Sequence, residues 1–163
     1  MRGGEGGPEV GRQPSSEAAI HISVTADAIR PGDVLSELGG SADGAVILFL
    51  GRVRDHNDGR SVTGLDYEVY GEMAERELHD IATEAAARFE VTELRAIHRV
   101  AALEIGEISV AISVASPHRD AAYEASRYVI EEIKVRLPIW KRERYADGDT
   151  RWVGAPATEE ASS

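Results

Sequence analysis

Six consecutive apolar residues, Ala45-Val46-Ile47-Leu48-Phe49-Leu50, run between Gly44 and Gly51. So continuous a run, glycine-bounded and without polar alternation, predicts a β-strand covered on both faces. Two later stretches supply the layers that such a strand needs. From Gly71 to Phe89, the residues Ala74, Leu78, Ile81, Ala82, Ala85 and Phe89 recur at helical spacing and leave Glu75, Arg76 and Asp80 to solvent. From Arg119 to Arg136, Ala122, Ala125, Val129, Ile130 and Ile133 form a second apolar stripe. Pro138 must end that helix, because proline lacks a backbone donor and its ring clashes with the preceding turn.

The remaining segments read mainly as strands. Ile20 to Thr25 alternates apolar and polar residues, and Pro31-Gly32-Asp33 opens a short helix through Leu38, stopped by Gly39-Gly40. Asp55 to Gly59 is a polar loop turning at Asp58-Gly59, followed by a β-branched and aromatic strand from Val62 to Tyr70. Strands from Leu94 to Ala101 and Ile108 to Ala115 are joined by a tight turn near Gly106, the second with one wide apolar face. Ile139 to Tyr145 runs extended, and Thr150 to Val153 can pair with it after Asp147-Gly148. The pattern predicts an α+β fold, a mixed sheet covered by two main helices. Residues 1–17 and 155–163, small, polar and aperiodic, are expected to be disordered tails around one domain spanning residues 18–154.

Composition narrows the function. No apolar run approaches the roughly 20 residues that cross a bilayer, and Met1 to Ser16 lacks the apolar stretch of a secretory signal, so the expected location is cytoplasmic. A formal net charge of −11 argues against nucleic-acid binding. The absence of cysteine excludes disulfides, thiolate metal sites and a cysteine nucleophile. Any sulfur handled here must be brought by another molecule.

Against this acidic background, Lys134, Arg136, Lys141, Arg142 and Arg144 crowd one segment, opposed locally only by Glu143. Such a cluster costs self-repulsion and suggests a bound anion, though a solvated basic face is the plainer reading. Pro138 places Lys134 on the last helical turn and Lys141 on the departing strand, so both can converge on one corner. A lysine crowded by like charge has a lowered pKa and can act as nucleophile or acid/base. Lys134 also suits the negative end of the helix dipole on purely electrostatic grounds.

Two further groups stand out. Ser116-Pro117-His118-Arg119 lies at a strand-to-helix junction, where His118 can exchange a proton and Arg119 can grip phosphate, unless His118 only caps the helix. Gly51-Arg52-Val53-Arg54-Asp55-His56 ends the apolar strand, and alternation puts Arg52 and Arg54 on one side. Neither His56 nor His98 has metal-ligand spacing, and no metal or cofactor is expected. Tyr67 and Tyr70 are read as core and interface residues rather than a stacking platform.

Several blocks in order resemble the large subunit of molybdopterin synthase, the MoaE family. They are Phe49-Leu50-Gly51-Arg52-Val53-Arg54; Tyr67-Glu68-Val69-Tyr70 with Met73-Ala74; His98-Arg99 with Gly106-Glu107; Ser116-Pro117-His118-Arg119; Lys134 and then Pro138-Ile139-Trp140-Lys141-Arg142-Glu143; and Arg151-Trp152-Val153. The resemblance spans Ala19 to Val153. It departs at Ala101, where the family has glycine, and in the glycine-rich N-terminal extension.

The resemblance implies an α/β hammerhead-like fold with an added small antiparallel β-subdomain, and a homodimer within a heterotetramer. It implies a small ubiquitin-like sulfur carrier as partner, whose C-terminal Gly-Gly thiocarboxylate enters the active site. The implied substrate is cyclic pyranopterin monophosphate, and the implied product is the dithiolene of molybdopterin, in molybdenum-cofactor biosynthesis. Lys134 is then expected to meet the terminal glycine of the tail, with Lys141 assisting at the substrate. Arg54, His118 and Arg119 would bind phosphate, partly across the protomer boundary, and Arg151 would add an anion contact. The rival readings are a noncatalytic module that recognises such a tail, a phosphate-ester hydrolase built on His118 and the arginines, and RNA binding.

Overall fold

A computed structural model describes residues 17–153. The expected tails lie outside the described residues, Glu17 apart. The elements in order are β1 (Ala19–Thr25), α1 (Pro31–Leu35), β2 (Ala45–Arg52), β3 (His56–Asn57), β4 (Arg60–Val69) and α2 (Gly71–Arg88), then β5 (Glu93–Arg99), β6 (Ala102–Glu104), β7 (Ile108–Ser116), α3 (Arg119–Arg136), β8 (Ile139–Tyr145) and β9 (Thr150–Val153).

The strands divide into two sheets. One is mixed, in the order β1-β5-β7-β2, with β1 parallel to β5 and the other pairs antiparallel. The second is antiparallel, in the order β3-β4-β8-β9, with β6 also paired to β4. The α+β expectation and the added β-subdomain are both met.

Helices α2 and α3 pack on the mixed sheet. Leu78 and Ile81 of α2, Leu94 of β5, Ile112 and Val114 of β7 and Val129 of α3 are fully buried in one core. Each such side chain stabilises the fold by roughly 1.5–3 kcal/mol through loss of apolar surface to water. A second, smaller core of Val53, Val62, Leu65, Leu103 and Tyr145 supports the antiparallel sheet. Arg136, in the last turn of α3, ties the two helices together: it bonds Glu77 of α2 at 2.7 Å, Glu132 of its own helix at 3.2 Å, and both carboxylate oxygens of Glu84.

Five local expectations need correction. The apolar run forms β2, but β2 is an edge strand, and Val46 is 48% exposed rather than covered. Conversely, β7 is buried on both faces rather than one, because it is central; the Ser113 hydroxyl reaches the Val34 carbonyl of α1 at 3.0 Å on the face away from the long helices. Helix α1 stops at Leu35, not Leu38, since Ser36 is extended (ψ 126°) and Glu37 is left-handed (φ 54°). The polar loop at 55–59 contains β3, which turns back through left-handed Asp58 (φ 48°) and Gly59 (φ 76°). The link from β5 to β7 is no simple turn: β5 stops at Arg99, and β6 crosses to pair with β4 in the other sheet. No helix among the described residues is long and apolar enough to cross a membrane.

Candidate active site

Where the C-terminal end of α3 meets both sheets, the chain encloses a cavity of about 860 Å³. Pro138 shapes this corner. The helix ends at Arg136, Leu137 is extended (φ −69°, ψ 125°), and Ile139 begins β8. Lys134 and Lys141 therefore line one cavity from two different elements, and Arg54, just beyond β2, lines it too. Arg54 and Lys134 are exposed and mark the open side, whereas Lys141 is half-buried.

Lys141 sits in a mixed field. Its pKa is lowered, first by burial and then by the charges of Lys134 and Arg54, while Glu143 pulls it back up. Glu143 is 2% exposed and also lines the cavity. Its two carboxylate oxygens accept hydrogen bonds from Asn57 Nδ2 at 2.7 Å and from the Tyr145 hydroxyl at 2.6 Å. Arg52 and Arg136 line the cavity as well, so five cationic side chains share it with a buried carboxylate that is hydrogen-bonded at both oxygens. The arrangement can hold an anion and can deliver or accept a proton through Lys141.

The opposite wall comes from the ends of β2, β4, β5 and β7. Gly51 opposes Val110, but Arg52 opposes Ile108, which leaves Ser109 as the extra residue of a β-bulge at the cavity. A Cβ on Gly51 would stand 2.5 Å from Val110 Cγ1, so glycine is required for this close approach. Tyr67 and His98 complete the wall, their rings edge-to-face with centroids 5.3 Å apart.

The remaining candidates lie elsewhere. His118 and Arg119 are exposed at the first turn of α3 and do not line the cavity. Fifteen residues of helix separate Arg119 from Lys134, about 22 Å along the axis. His118 occupies the N-cap position without a side-chain capping bond, so the capping role is not what holds it there. Arg151, on β9 opposite Glu143, is exposed and outside the cavity lining.

Several cavity residues carried a different reading in the sequence, or none. Tyr67 is a wall of the cavity rather than core alone, whereas Tyr70 is exposed and edge-on to Trp140, with centroids 4.8 Å apart. Glu143 was visible only as a counter-charge, and Asn57 and Ser109 carried no signal. His98 did leave one: it continues the inward series Leu94, Ala96 of β5 with a polar side chain.

A mixed sheet under two helices, joined at its rim to an antiparallel sheet around a cationic cavity, is the architecture of a known class. The MoaE protein family model matches residues 24–136, and the chain belongs to the MoaE family. It is 41% identical over 144 residues to the molybdopterin synthase catalytic subunit of Pseudomonas aeruginosa, covering 87% of this chain and 95% of that one. It is 39% identical over 132 residues to the catalytic subunit of Thermoplasma volcanium, covering 81% and 96%. A crystal structure of molybdopterin synthase from Staphylococcus aureus has a similar fold, with a TM-score of 0.72 and 34% identity, covering 85% of this chain and 97% of that one.

Proposed function

We propose that this protein is the catalytic subunit of a molybdopterin synthase, a sulfurtransferase that moves sulfur from the thiocarboxylate of a small ubiquitin-like carrier to cyclic pyranopterin monophosphate. The observation that carries this reading is the convergence of Lys134, Lys141 and Arg54 on one cavity in a chain of net charge −11 without cysteine. Both reactants bring anions, and the sulfur has to arrive on the carrier.

In this reading the sulfur of the thiocarboxylate attacks a pterin side-chain carbon whose carbon–oxygen bond breaks, which gives a thioester. The oxygen leaves as water from the carbonyl carbon or stays on the phosphate as the cyclic ester opens. Water then cleaves the acyl–sulfur bond, so sulfur stays on the pterin and the tail leaves as a carboxylate. Lys134 holds the terminal glycine and stabilises the oxyanion of that cleavage. Lys141, its ammonium form disfavoured by burial and like charge, serves proton transfer at the substrate. Arg54 holds the phosphate from within the protomer.

His118 and Arg119, too far along α3 to reach their own cavity, serve the cavity of a second protomer, so the working unit is a homodimer carrying two carriers. Arg151 adds an anion contact at the rim. The protein acts in the cytoplasm.

The test is reconstitution with thiocarboxylated carrier and cyclic pyranopterin monophosphate, following the fluorescence of the oxidised dithiolene product. Product is expected from the wild-type protein, and Lys134→Ala should abolish it while leaving the melting temperature unchanged. Carrier binding without product would establish tail recognition alone and sink the enzyme.

A further inference from the structure

His98 lines the cavity, yet the reaction outlined above leaves it without a task. It takes the third inward position of β5, after Leu94 and Ala96, both fully buried against the helices. The strand pattern calls for an apolar residue there, and the chain instead places an imidazole that is 7% exposed.

The ring's protonation pattern follows from its partner. His98 Nδ1 lies 3.0 Å from the Arg99 carbonyl oxygen. A carbonyl can only accept, so Nδ1 carries the proton and Nε2 holds the lone pair. No protein hydrogen bond reaches Nε2 among the described residues. Nor is that nitrogen sealed in the core: the only buried side-chain nitrogen or oxygen lacking a partner, among the described residues, is Arg144 Nε. The lone pair therefore opens on the cavity that His98 lines. Burial depresses the ring's pKa to about 4, so the imidazole is an uncharged acceptor at neutral pH.

Its neighbours are uncharged as well. Tyr67 is edge-on to His98, and the nearby Ser109 hydroxyl donates to the Gly51 carbonyl at 3.3 Å. Phe49 and Val110 add apolar wall. The cavity thus has two chemistries: cations at its exposed side, Arg52 at the end of β2 among them, and an uncharged patch around His98 that offers a free acceptor. An anion gains nothing at that wall, because a carboxylate, thiocarboxylate or phosphate oxygen facing a lone pair is repelled. A flat, uncharged ring bearing N–H donors suits it, since it can lie along the aromatic side chains and donate to Nε2.

We propose that His98, with Tyr67 and Ser109, forms the subsite for the uncharged pterin ring, and that His98 Nε2 accepts a hydrogen bond from a ring or exocyclic N–H. The assignment rests on the reading above for the substrate class. It adds a specificity-determining residue outside the cationic cluster: the cations hold the phosphate and the tail, and His98 selects the heterocycle.

The experiment uses the intact protein and two probes, 6-hydroxymethylpterin, which carries no phosphate, and inorganic phosphate. Pterin binding is followed by quenching of its fluorescence, and phosphate binding by calorimetry. His98→Leu installs the apolar residue that the strand pattern asks for. It should weaken pterin binding about tenfold or more, as expected for loss of a desolvated hydrogen bond, and leave phosphate affinity within about twofold. Its melting temperature should hold or rise, a combination that a merely structural histidine would not produce. His98→Gln, which keeps an acceptor, should restore part of the pterin affinity. In the reconstituted reaction, His98→Leu should raise KM for the pterin substrate and leave KM for the carrier unchanged.

Absence of pterin binding to the wild-type protein would overturn the subsite, as would equal pterin binding by wild type and His98→Leu or a parallel loss of phosphate binding. His98-dependent pterin binding without any dithiolene product would leave the subsite standing and remove the proposed reaction. Product formation with pterin binding indifferent to His98 would do the reverse.

Discussion

Lys134 and Lys141 stand seven residues apart on either side of Pro138, one on the last turn of α3 and the other on β8, and both line one cavity. Had the helix continued, both would have projected from one helical face. Broken at Pro138, the chain sets them on two walls with room for a ligand between. Burial and the neighbouring charges then separate their roles, since Lys141 alone is half-buried beside Glu143.

The coupling of these groups predicts opposite effects on Lys141. Lys134→Met removes one of the charges that depress its pKa and should raise it; Glu143→Gln removes the charge that supports the ammonium and should lower it further. The pH dependence of acylation at Lys141, read by mass spectrometry, reports both. Shifts of the same sign in the two variants would contradict the geometry.

The separation of His118 and Arg119 from the cavity predicts complementation. Arg119→Ala and Lys134→Ala should each be inactive alone. In a mixed dimer, however, one cavity would keep Lys134 and receive an intact Arg119 from the other chain. Random pairing of equal amounts should restore roughly a quarter of wild-type activity. If the mixture stays as inactive as the two variants, the shared pocket is wrong.

His98 predicts a pH-dependent stability. Its folded pKa of about 4 lies below the ordinary value of 6.5, so between these values the unfolded chain binds a proton that the folded chain does not. This contribution is fully present above pH 6.5 and declines as pH falls toward 4, by about 3 kcal/mol in total. Urea unfolding at pH 7 and pH 4.5 should show a loss in the wild type that is smaller in His98→Leu.

The Arg136 cluster predicts a salt-sensitive join between α2 and α3. Glu84, held at a pKa of about 2 chiefly by the hydrogen bond from Arg136, keeps its charge through most of the acid range. A group depressed in this way contributes stability above the ordinary carboxylate pKa and loses it as pH falls toward 2. Arg136→Met should lower the melting temperature by a few degrees at neutral pH and low salt, with a smaller difference at high salt or strongly acidic pH. A difference indifferent to both would point to lost packing rather than lost charge.

Much of the fold was legible before the structure. α3 keeps its expected limits, Arg119–Arg136, and β8 and β9 form where Pro138 and Asp147-Gly148 predicted. Each rests on local chemistry: a 3.6-residue stripe, a missing donor, a turn dipeptide. Lys134 and Lys141 were legible for a related reason, since crowding of like charge is visible along the chain, and Arg54 as a charge just past the apolar strand. Tyr67, Asn57 and Ser109 were not. Ser109 reaches the cavity through a bulge set by pairing with β2, and Asn57 matters only because Glu143, 86 residues away, lies within 2.7 Å.

By itself the sequence determined the kinds of element, the places where the chain must turn, the absence of any sulfur of its own on cysteine, and the concentration of positive charge around Pro138. These depend on neighbours within a few residues, where sterics and backbone hydrogen bonding decide. Only the tertiary structure decided that the most apolar strand is an edge, that Glu143 is sealed between Asn57 and Tyr145, and that His98 turns a lone pair toward the cavity while His118 and Arg119 lie outside its lining. Those outcomes depend on strand order and register, which join residues far apart in the chain and leave no periodic trace in either segment.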